Sequence, residues 1–162
     1  AQSRVWGAED RQVLGIRAYH LSDVCSAYRR SAYKAVGGFS HPLPTNEDML
    51  IAAAFLDSGY RLAYCADAAV VHSHNLTLRQ EYRRNVLIGR FLQEYGERLG
   101  NPRETGEGLR MVRQVLSQLL RSGHPLECPV FAADCAARLL GSRAGRRAGT
   151  AGQRRIRHAA DG

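Results

Sequence analysis

Short apolar and polar stretches, separated by turn residues, divide the first part of the chain into predicted elements. Residues 19–28 (YHLSDVCSAY) read as an extended segment. Residues 31–36 predict a short helix, which Gly37 ends because glycine readily adopts the left-handed conformation that closes many helices. The stretch FSHPLPTN follows with two prolines and several polar turn residues. This pattern predicts a loop directly in front of the next helix.

The helix after this loop has the clearest pattern in the chain. Thr45 or Asn46 can cap its first turn, and Gly59 ends it. Glu47 and Asp48 occupy the first turn, and the run MLIAAAFL follows them. Because this run is apolar on nearly every side, we expect the helix to be buried in the core.

Two extended segments and a further helix follow. The run YRLAY alternates between polar and apolar residues as a strand does, and AVVHSH reads as a second extended piece. Thr77 and Gln80 match a capping box, the side-chain pattern that opens many helices. We expect an amphipathic helix from this point to about residue 95.

The last third of the chain predicts helices and a basic arm. Four glycines and Pro102 between residues 96 and 108 predict a flexible connection. Helices are expected at about residues 107–121 and 128–140. From residue 141 onward the sequence is rich in Gly, Ala and Arg, with almost nothing apolar enough to bury. We therefore expect a disordered or surface-lying arm.

Charge is concentrated in this arm. The chain has 23 basic and 15 acidic residues, a formal net charge of +8. Residues 141–162 hold six Arg and one Asp. Such an arm can adhere to an anionic membrane or to nucleic acid. An Arg-rich composition without any role gives the same pattern, since Lys34 is the only lysine in the chain.

Composition and segment lengths favour a globular cytoplasmic protein. Hydrophobic residues make up 44% and charged residues 23%, which excludes collagen, a coiled coil and a wholly disordered chain. The longest nearly apolar run, residues 49–56, is far shorter than the ~20 residues that span a bilayer. The first residues lack a secretory-signal pattern and an initiator Met, which favours a processed or partial chain. Four cysteines without a C-x-x-C pair are expected to be free, buried thiols: Cys25, Cys65, Cys128 and Cys135.

Glu47 and Asp48 are candidates for general base catalysis. Carboxylates in the first turn of a helix lie where the helix dipole favours negative charge. A base held ionised at a loop-to-helix junction is accessible to a substrate. Acidic residues are also common at this place simply as partners of the dipole, and the pattern alone favours that interpretation.

Histidines and arginines supply further candidates. His72 and His74 share one face of an extended segment, which suits metal ligation, although a hydrogen-bonded surface pair fits equally well. Four arginines near these sites are candidates for binding a diphosphate, with a solvated surface as the alternative: Arg29, Arg30, Arg83 and Arg84.

Several motifs occur together in a recognisable order. They are GGF, an acidic pair with Asp second, GYR, an alanine-rich turn and V-x-H, within SDVCSAYRRSAYKAVGGF and NEDMLIAAAFLDSGYRLAYCADAAVVHSHN. This region, about residues 20–92, resembles the C-terminal half of the catalytic domain of family-two glycosyltransferases, and especially bacterial rhamnosyltransferases of surface-polysaccharide synthesis. The resemblance implies an α/β fold, half of a GT-A nucleotide-sugar domain. It also implies three parts: an acceptor-side half (1–95), a helical extension (96–140) and the basic arm (141–162).

The resemblance also implies roles for individual residues. Asp48 matches the catalytic base, and Glu47 is its motif partner. His72 matches a histidine that completes the shell of a divalent metal, Mg²⁺ or Mn²⁺, and His74 is its neighbour and a secondary metal candidate. The implied reaction is direct displacement with inversion, from a nucleotide-diphosphate sugar to a hydroxyl of a glycan or lipid-linked acceptor. The place of action would be the cytoplasm or the inner face of the cell membrane.

One family motif is missing. The chain contains no Asp-x-Asp, which in this family holds the metal in the donor-binding half. The sequence is therefore expected to be a fragment that does not transfer sugar by itself. Two alternatives stay open: an inactive remnant, and a non-catalytic module that binds nucleic acid or anionic membrane through its arginines. The lack of an aromatic stacking set disfavours nucleic acid.

Overall fold

A computed structural model describes residues 2–39, 43–73, 75–100 and 106–160, of which 106–107 and 150–160 are described by backbone only. The chain divides into two compact units. Unit 1 comprises Ala1–His74 and Glu97–Asn101, and unit 2 comprises Asn75–Gly96 and Pro102–Gly162. This division differs from the predicted boundary at residue 95, because residues 97–101 return to unit 1 after the helix at Leu78–Tyr95.

Unit 1 is built from short elements around one longer helix. Its strands and α-helices are β1 (Arg4–Trp6), α1 (Arg11–Leu14), α2 (Arg30–Ala35), α3 (Glu47–Asp57) and β2 (Leu62–Tyr64). Three short 3₁₀ helices complete it: Ala8–Asp10, Gly15–Tyr19 and Asp23–Cys25. The last of these lies inside residues 19–28, which the sequence predicts to be extended. The backbone forms a 3₁₀ turn there instead.

The two strands form a small antiparallel sheet. Arg4 pairs with Tyr64, and Trp6 pairs with Leu62. The buried Trp6 also donates a 2.8 Å hydrogen bond from Nε1 to the carbonyl oxygen of Ala18. This sheet is all the β-structure in the part of the chain that the structure describes, and residues 69–73 form no strand. The larger α/β sheet of the resembled fold stays a prediction.

Helix α3 is the centre of the unit 1 core, as its sequence predicts. Seven of its eleven residues are buried: Met49, Leu50, Ile51, Ala52, Ala53, Phe55 and Leu56. Leu99 is also fully buried. At the end of α3, the Asp57 carboxylate forms ion pairs with two arginines. It accepts hydrogen bonds from Arg11 Nη2 at 2.6 Å and from Arg98 Nη2 at 2.9 Å. These ion pairs join the first and the last segments of unit 1 to its central helix.

The cysteines correct one expectation. All four are free, but Cys25 and Cys65 are exposed, and Cys128 and Cys135 are partly exposed. Cys25 lies in a surface 3₁₀ turn, and Cys65 directly follows the edge strand β2. Apolar neighbours in sequence therefore did not indicate burial at these positions.

Unit 2 consists of three helices, α4 (Leu78–Tyr95), α5 (Gly106–Arg121) and α6 (Glu127–Ala160). The predicted capping box of α4 is confirmed. Gln80 N donates to Thr77 Oγ1 at 3.4 Å, and Thr77 N donates to Gln80 Oε1 at 2.8 Å. None of the helices, over the residues described, combines the length and apolar character needed to cross a bilayer.

Helices α4 and α6 approach so closely that only glycine fits at several positions. A Cβ atom added to Gly145 would lie 2.1 Å from the carbonyl oxygen of Val86, and one added to Gly89 would lie 2.2 Å from that of Ser142. Both neighbours are backbone atoms that have little freedom to move. Beside this contact, the buried Glu81 accepts a 3.2 Å hydrogen bond from Arg138 Nη2.

The same contact explains why the structure differs from the predicted arm. Helix α6 continues without a break through residues 141–149 and as backbone to Ala160. Gly141 and Gly145 are buried against α4. The lack of large apolar side chains predicts that this segment does not pack, and that prediction is wrong for residues 141–149. Small residues instead allow the two helix backbones to pack directly.

Candidate functional site

Asp48 lies in the first turn of α3, at the edge of the unit 1 core. It is half-buried, and its Oδ1 accepts a 2.9 Å hydrogen bond from the backbone N–H of Met49. The same N–H also donates to the carbonyl oxygen of Asn46 at 3.2 Å, so the carboxylate shares an N–H of the first helical turn. The arrangement fixes the position of the carboxylate at the helix end.

The loop before α3 shapes this position. Asn46 adopts a left-handed backbone with φ of 61°, and it is the only non-glycine residue with a positive φ among those described. Its side chain makes no capping hydrogen bond. Instead its Oδ1 accepts from Thr45 Oγ1 at 3.1 Å. The sequence predicted Thr45 or Asn46 as the side-chain cap, whereas the Asp48 carboxylate takes an N–H of the first turn.

The surroundings of Asp48 favour a carboxyl group that accepts a proton readily. Burial raises the pKa of Asp48 above its ordinary value, and the nearby carboxylates of Asp23 and Glu47 raise it further. The Met49 N–H and the charge of His20 act in the opposite direction without cancelling the rise. A carboxylate in such a place is a stronger base than one in water.

A cluster of aromatic rings packs beside α3. Tyr28 contacts three rings, with centroid distances of 6.0 Å to Phe55, 5.8 Å to Phe39 and 6.1 Å to Tyr33. Tyr33 in turn accepts a 3.2 Å hydrogen bond from the backbone N–H of Phe39 through its hydroxyl. The cluster therefore holds the GGF segment and the Tyr28 segment against the helix that carries Asp48.

Tyr28 carries a buried hydroxyl close to these carboxylates. Its Oη has no hydrogen-bond partner of normal geometry. Burial raises the pKa of Tyr28, and the nearby Ser26 side chain opposes this rise without cancelling it. The negative charges of Asp48, Asp23 and Glu47 raise the pKa further. Tyr28, Asp23 and His20 were not predicted as site residues, since nothing in the local sequence indicates that the chain brings them near Asp48.

The predicted metal residues do not form a cluster in the described part of the chain. His72 is exposed in unit 1, and His74 lies outside the described residues. No group of three or more His, Cys, Asp or Glu side chains suited to a metal ion occurs among the residues that were described.

The predicted arginines fall into two separate pairs. Arg29 and Arg30 are exposed at the beginning of α2 in unit 1. Arg83 and Arg84 are exposed on α4 in unit 2. Arg83 also lines an open groove between α4 and α6, together with Tyr82 and Arg90. Of the two pairs, only the first belongs to the unit that contains Asp48.

Two curated proteins are similar to this chain over most of its length. O-antigen chain rhamnosyltransferase WbaN of Salmonella anatum is 36% identical over 144 residues, which cover 85% of this chain and 44% of the relative. O-antigen chain rhamnosyltransferase RfbN of Salmonella typhimurium strain LT2 is 33% identical over 153 residues, or 90% and 46% of the respective chains.

The chain thus spans less than half the length of the curated relatives it matches. No family model matches the chain, and no solved structure matches it significantly. The two similarities support a relationship between this chain and the rhamnosyltransferases.

Proposed function

We propose that this chain supplies the acceptor side of a glycosyltransferase active site in which Asp48 is the general base. The observation that carries the proposal is the half-buried Asp48 carboxylate at the start of α3, whose pKa is raised by burial. The similarity to two proteins named rhamnosyltransferases supports sugar transfer as the reaction. A base is needed because a sugar hydroxyl is a poor nucleophile until its proton is removed.

The proposed reaction is a single displacement at the anomeric carbon of the donor sugar. The acceptor oxygen forms the new bond to this carbon while its proton passes to Asp48. The bond from the anomeric carbon to the nucleoside diphosphate breaks, and the diphosphate leaves with the electron pair. Because the acceptor oxygen attacks from the face opposite this bond, the configuration is inverted. Met49 N–H holds Oδ1 of Asp48, which leaves Oδ2 for the acceptor hydroxyl.

The substrates follow from the same proposal. The names of the relatives favour rhamnose as the transferred sugar and a glycan as its acceptor. The leaving diphosphate gains negative charge, which guanidinium groups stabilise well. Arg29 and Arg30 are the candidates for this role in unit 1. A lipid-linked acceptor and a place at the inner face of the cell membrane are part of the same hypothesis.

A divalent metal does not enter the steps above. His72 is the only described member of the predicted histidine pair, and the described residues provide no set of three ligands around one point. These residues do not fit a complete site for Mg²⁺ or Mn²⁺. Because the chain has no Asp-x-Asp, we propose that donor binding requires residues outside it.

The test compares two aspartates in the full-length protein that contains this sequence. Asp48→Asn keeps the side-chain shape and removes the basic oxygen, and we expect turnover to fall at least ~100-fold. Asp67→Asn is the control, since Asp67 is exposed and is not among the groups that shift the pKa of Asp48. Nucleoside diphosphate release in the presence of acceptor measures turnover. Near-normal turnover of Asp48→Asn with unchanged donor binding would refute the proposal.

A further inference from the structure

Large apolar side chains are exposed on a helical hairpin of unit 2. The hairpin is formed by α5, the turn at residues 122–126 and the first part of α6. Leu126 is 87% exposed, Val130 is 68% exposed and Leu120 is 60% exposed. These three side chains surround the turn between the two helices. We propose that this hairpin tip inserts into the surface of an anionic lipid bilayer. The inference assigns a surface to the membrane location proposed above, and it holds whether or not the chain takes part in sugar transfer.

Helix α5 has the two-faced pattern of a helix that lies at an interface. Steps of 100° per residue place its apolar residues on one side of the helix. They are Leu109, Met111, Val112, Val115, Leu116, Leu119 and Leu120. The middle of this face is half-buried, and its edges at Leu109, Met111 and Leu120 are exposed. The part of the apolar face nearest the turn is therefore accessible for contact with a lipid bilayer.

The turn itself has a fixed backbone. Gly123 has φ of 77°, and His124 N donates to the carbonyl oxygen of Leu119 at 2.9 Å. This pair of features closes α5 with a glycine in the left-handed conformation. Leu126 is consequently held outward at the tip by an ordered turn. Exposure of a large apolar side chain on an ordered turn is unfavourable in water, so an apolar partner would stabilise it.

Charge on the hairpin and the helix beyond it indicates which apolar partner fits. Residues 108–149 contain seven arginines and two acidic residues. On α5 the arginines form the polar face, at Arg110, Arg113 and Arg121. An apolar face flanked by arginines is the pattern of helices that bind anionic membrane surfaces. Long arginine side chains reach the lipid head groups while the apolar face enters the acyl boundary.

The same charge disfavours a second copy of this chain as the partner. Two hairpins facing each other would bring like charges together, which costs energy unless acidic residues compensate. Besides Glu107 in the first turn of α5, Glu127 and Asp134 are the acidic residues between positions 106 and 149, and Asp134 already accepts a 2.7 Å hydrogen bond from Arg138. An anionic lipid surface has the complementary charge.

The experiment measures co-sedimentation of the whole chain with vesicles of phosphatidylcholine, with and without phosphatidylglycerol, at low and high salt. We expect binding that requires phosphatidylglycerol and retains a salt-resistant part. Leu126→Ser and Val130→Ser are each expected to lower the partition coefficient, and together by about tenfold. Arg113→Gln with Arg121→Gln is expected to weaken binding at low salt and to have little effect at high salt.

Val13→Ser is the matched control, because Val13 is 80% exposed but lies in unit 1. It should leave vesicle binding unchanged. Circular dichroism checks that every variant is folded. The proposal is overturned if the chain ignores anionic vesicles, or if it binds them equally well with Ser at positions 126 and 130. It is also overturned if these substitutions convert a dimer into a monomer without lipid, since the partner would then be a second copy.

Discussion

Tyr28 stacks on Phe55 with ring centroids 6.0 Å apart and ring planes 17° from parallel. Phe55 lies seven residues after Asp48 on α3, which is close to two helical turns, so the two residues share a face of the helix. The contact therefore holds the Tyr28 segment along the same side of α3 that carries the proposed base. Any change that loosens the ring stack is expected to disturb the surroundings of Asp48.

Two substitutions at Tyr28 separate the ring from its hydroxyl. Tyr28→Phe keeps the ring contacts and removes a buried hydroxyl without a normal hydrogen-bond partner. We expect its free energy of unfolding to be unchanged or higher by up to about 1 kcal/mol. Tyr28→Ala removes the ring and should lower it by about 3 kcal/mol. Urea unfolding measures both, and clear destabilisation by Tyr28→Phe would show that the hydroxyl is bonded.

Asp48 is expected to reduce the stability of the folded chain at neutral pH. Its pKa is raised on folding, so the ionised carboxylate is less favourable in the folded than in the unfolded state. This loss of stability is absent at pH values below the ordinary Asp pKa of about 3.9. It is complete at pH values above the raised pKa of the folded state. Asp48→Asn should therefore raise Tm at pH 7 by about 2 °C.

The pH dependence provides the check on this expectation. The difference in Tm between Asp48→Asn and the parent chain should shrink as the pH falls towards 3, since both side chains are then neutral. Thermal melts by circular dichroism at several pH values measure it. Asp67→Asn, at an exposed position, should show no such gain. A lower Tm for Asp48→Asn at pH 7 would contradict the assignment of a raised pKa.

The close contact of α4 and α6 makes a prediction about glycine. Gly145→Ala would place a methyl group 2.1 Å from the backbone oxygen of Val86, so the helices must separate. We expect a loss of about 1–3 kcal/mol in the free energy of unfolding. Gly108→Ala on α5 is the control, because nothing lies within 4 Å of its added Cβ. That variant should be slightly more stable, by about 0.5–1 kcal/mol.

Chemical denaturation of the whole chain tests this pair. The two substitutions are chemically identical and both lie in helices, so the difference between them isolates the close contact. Equal effects of Gly145→Ala and Gly108→Ala would mean that α4 and α6 do not touch through their backbones.

Sequence patterns predicted the elements that local signals define. The burial of α3 followed from apolar residues on all its sides, and the start of α4 followed from Thr77 and Gln80, whose cap is confirmed. Asp48 was placed correctly at the start of α3 for the same reason. The roles of Asp48, Glu47, the histidines and the arginines stay predictions.

Features that depend on distant parts of the chain were not predictable in this way. The strand β1 exists because it pairs with β2, nearly sixty residues later, and three residues carry no pattern of their own. The continuation of α6 was missed because glycine is a poor helix former in isolation. Glycine is required at positions 141 and 145 only because α4 packs against them, and this contact is not visible in the local sequence. Tyr28 likewise approaches Asp48 only through the folded chain.

The return of residues 97–101 to unit 1 determines where the chain can be cut. Burial alone would raise the pKa of Asp57, but hydrogen bonds from Arg98 and Arg11 lower it, so both arginines stabilise the carboxylate. A truncation after residue 95 would remove Arg98 and the fully buried Leu99 together. An expression boundary placed by helix ends would therefore yield an incomplete core, whereas one that retains residues 97–101 keeps every segment of unit 1.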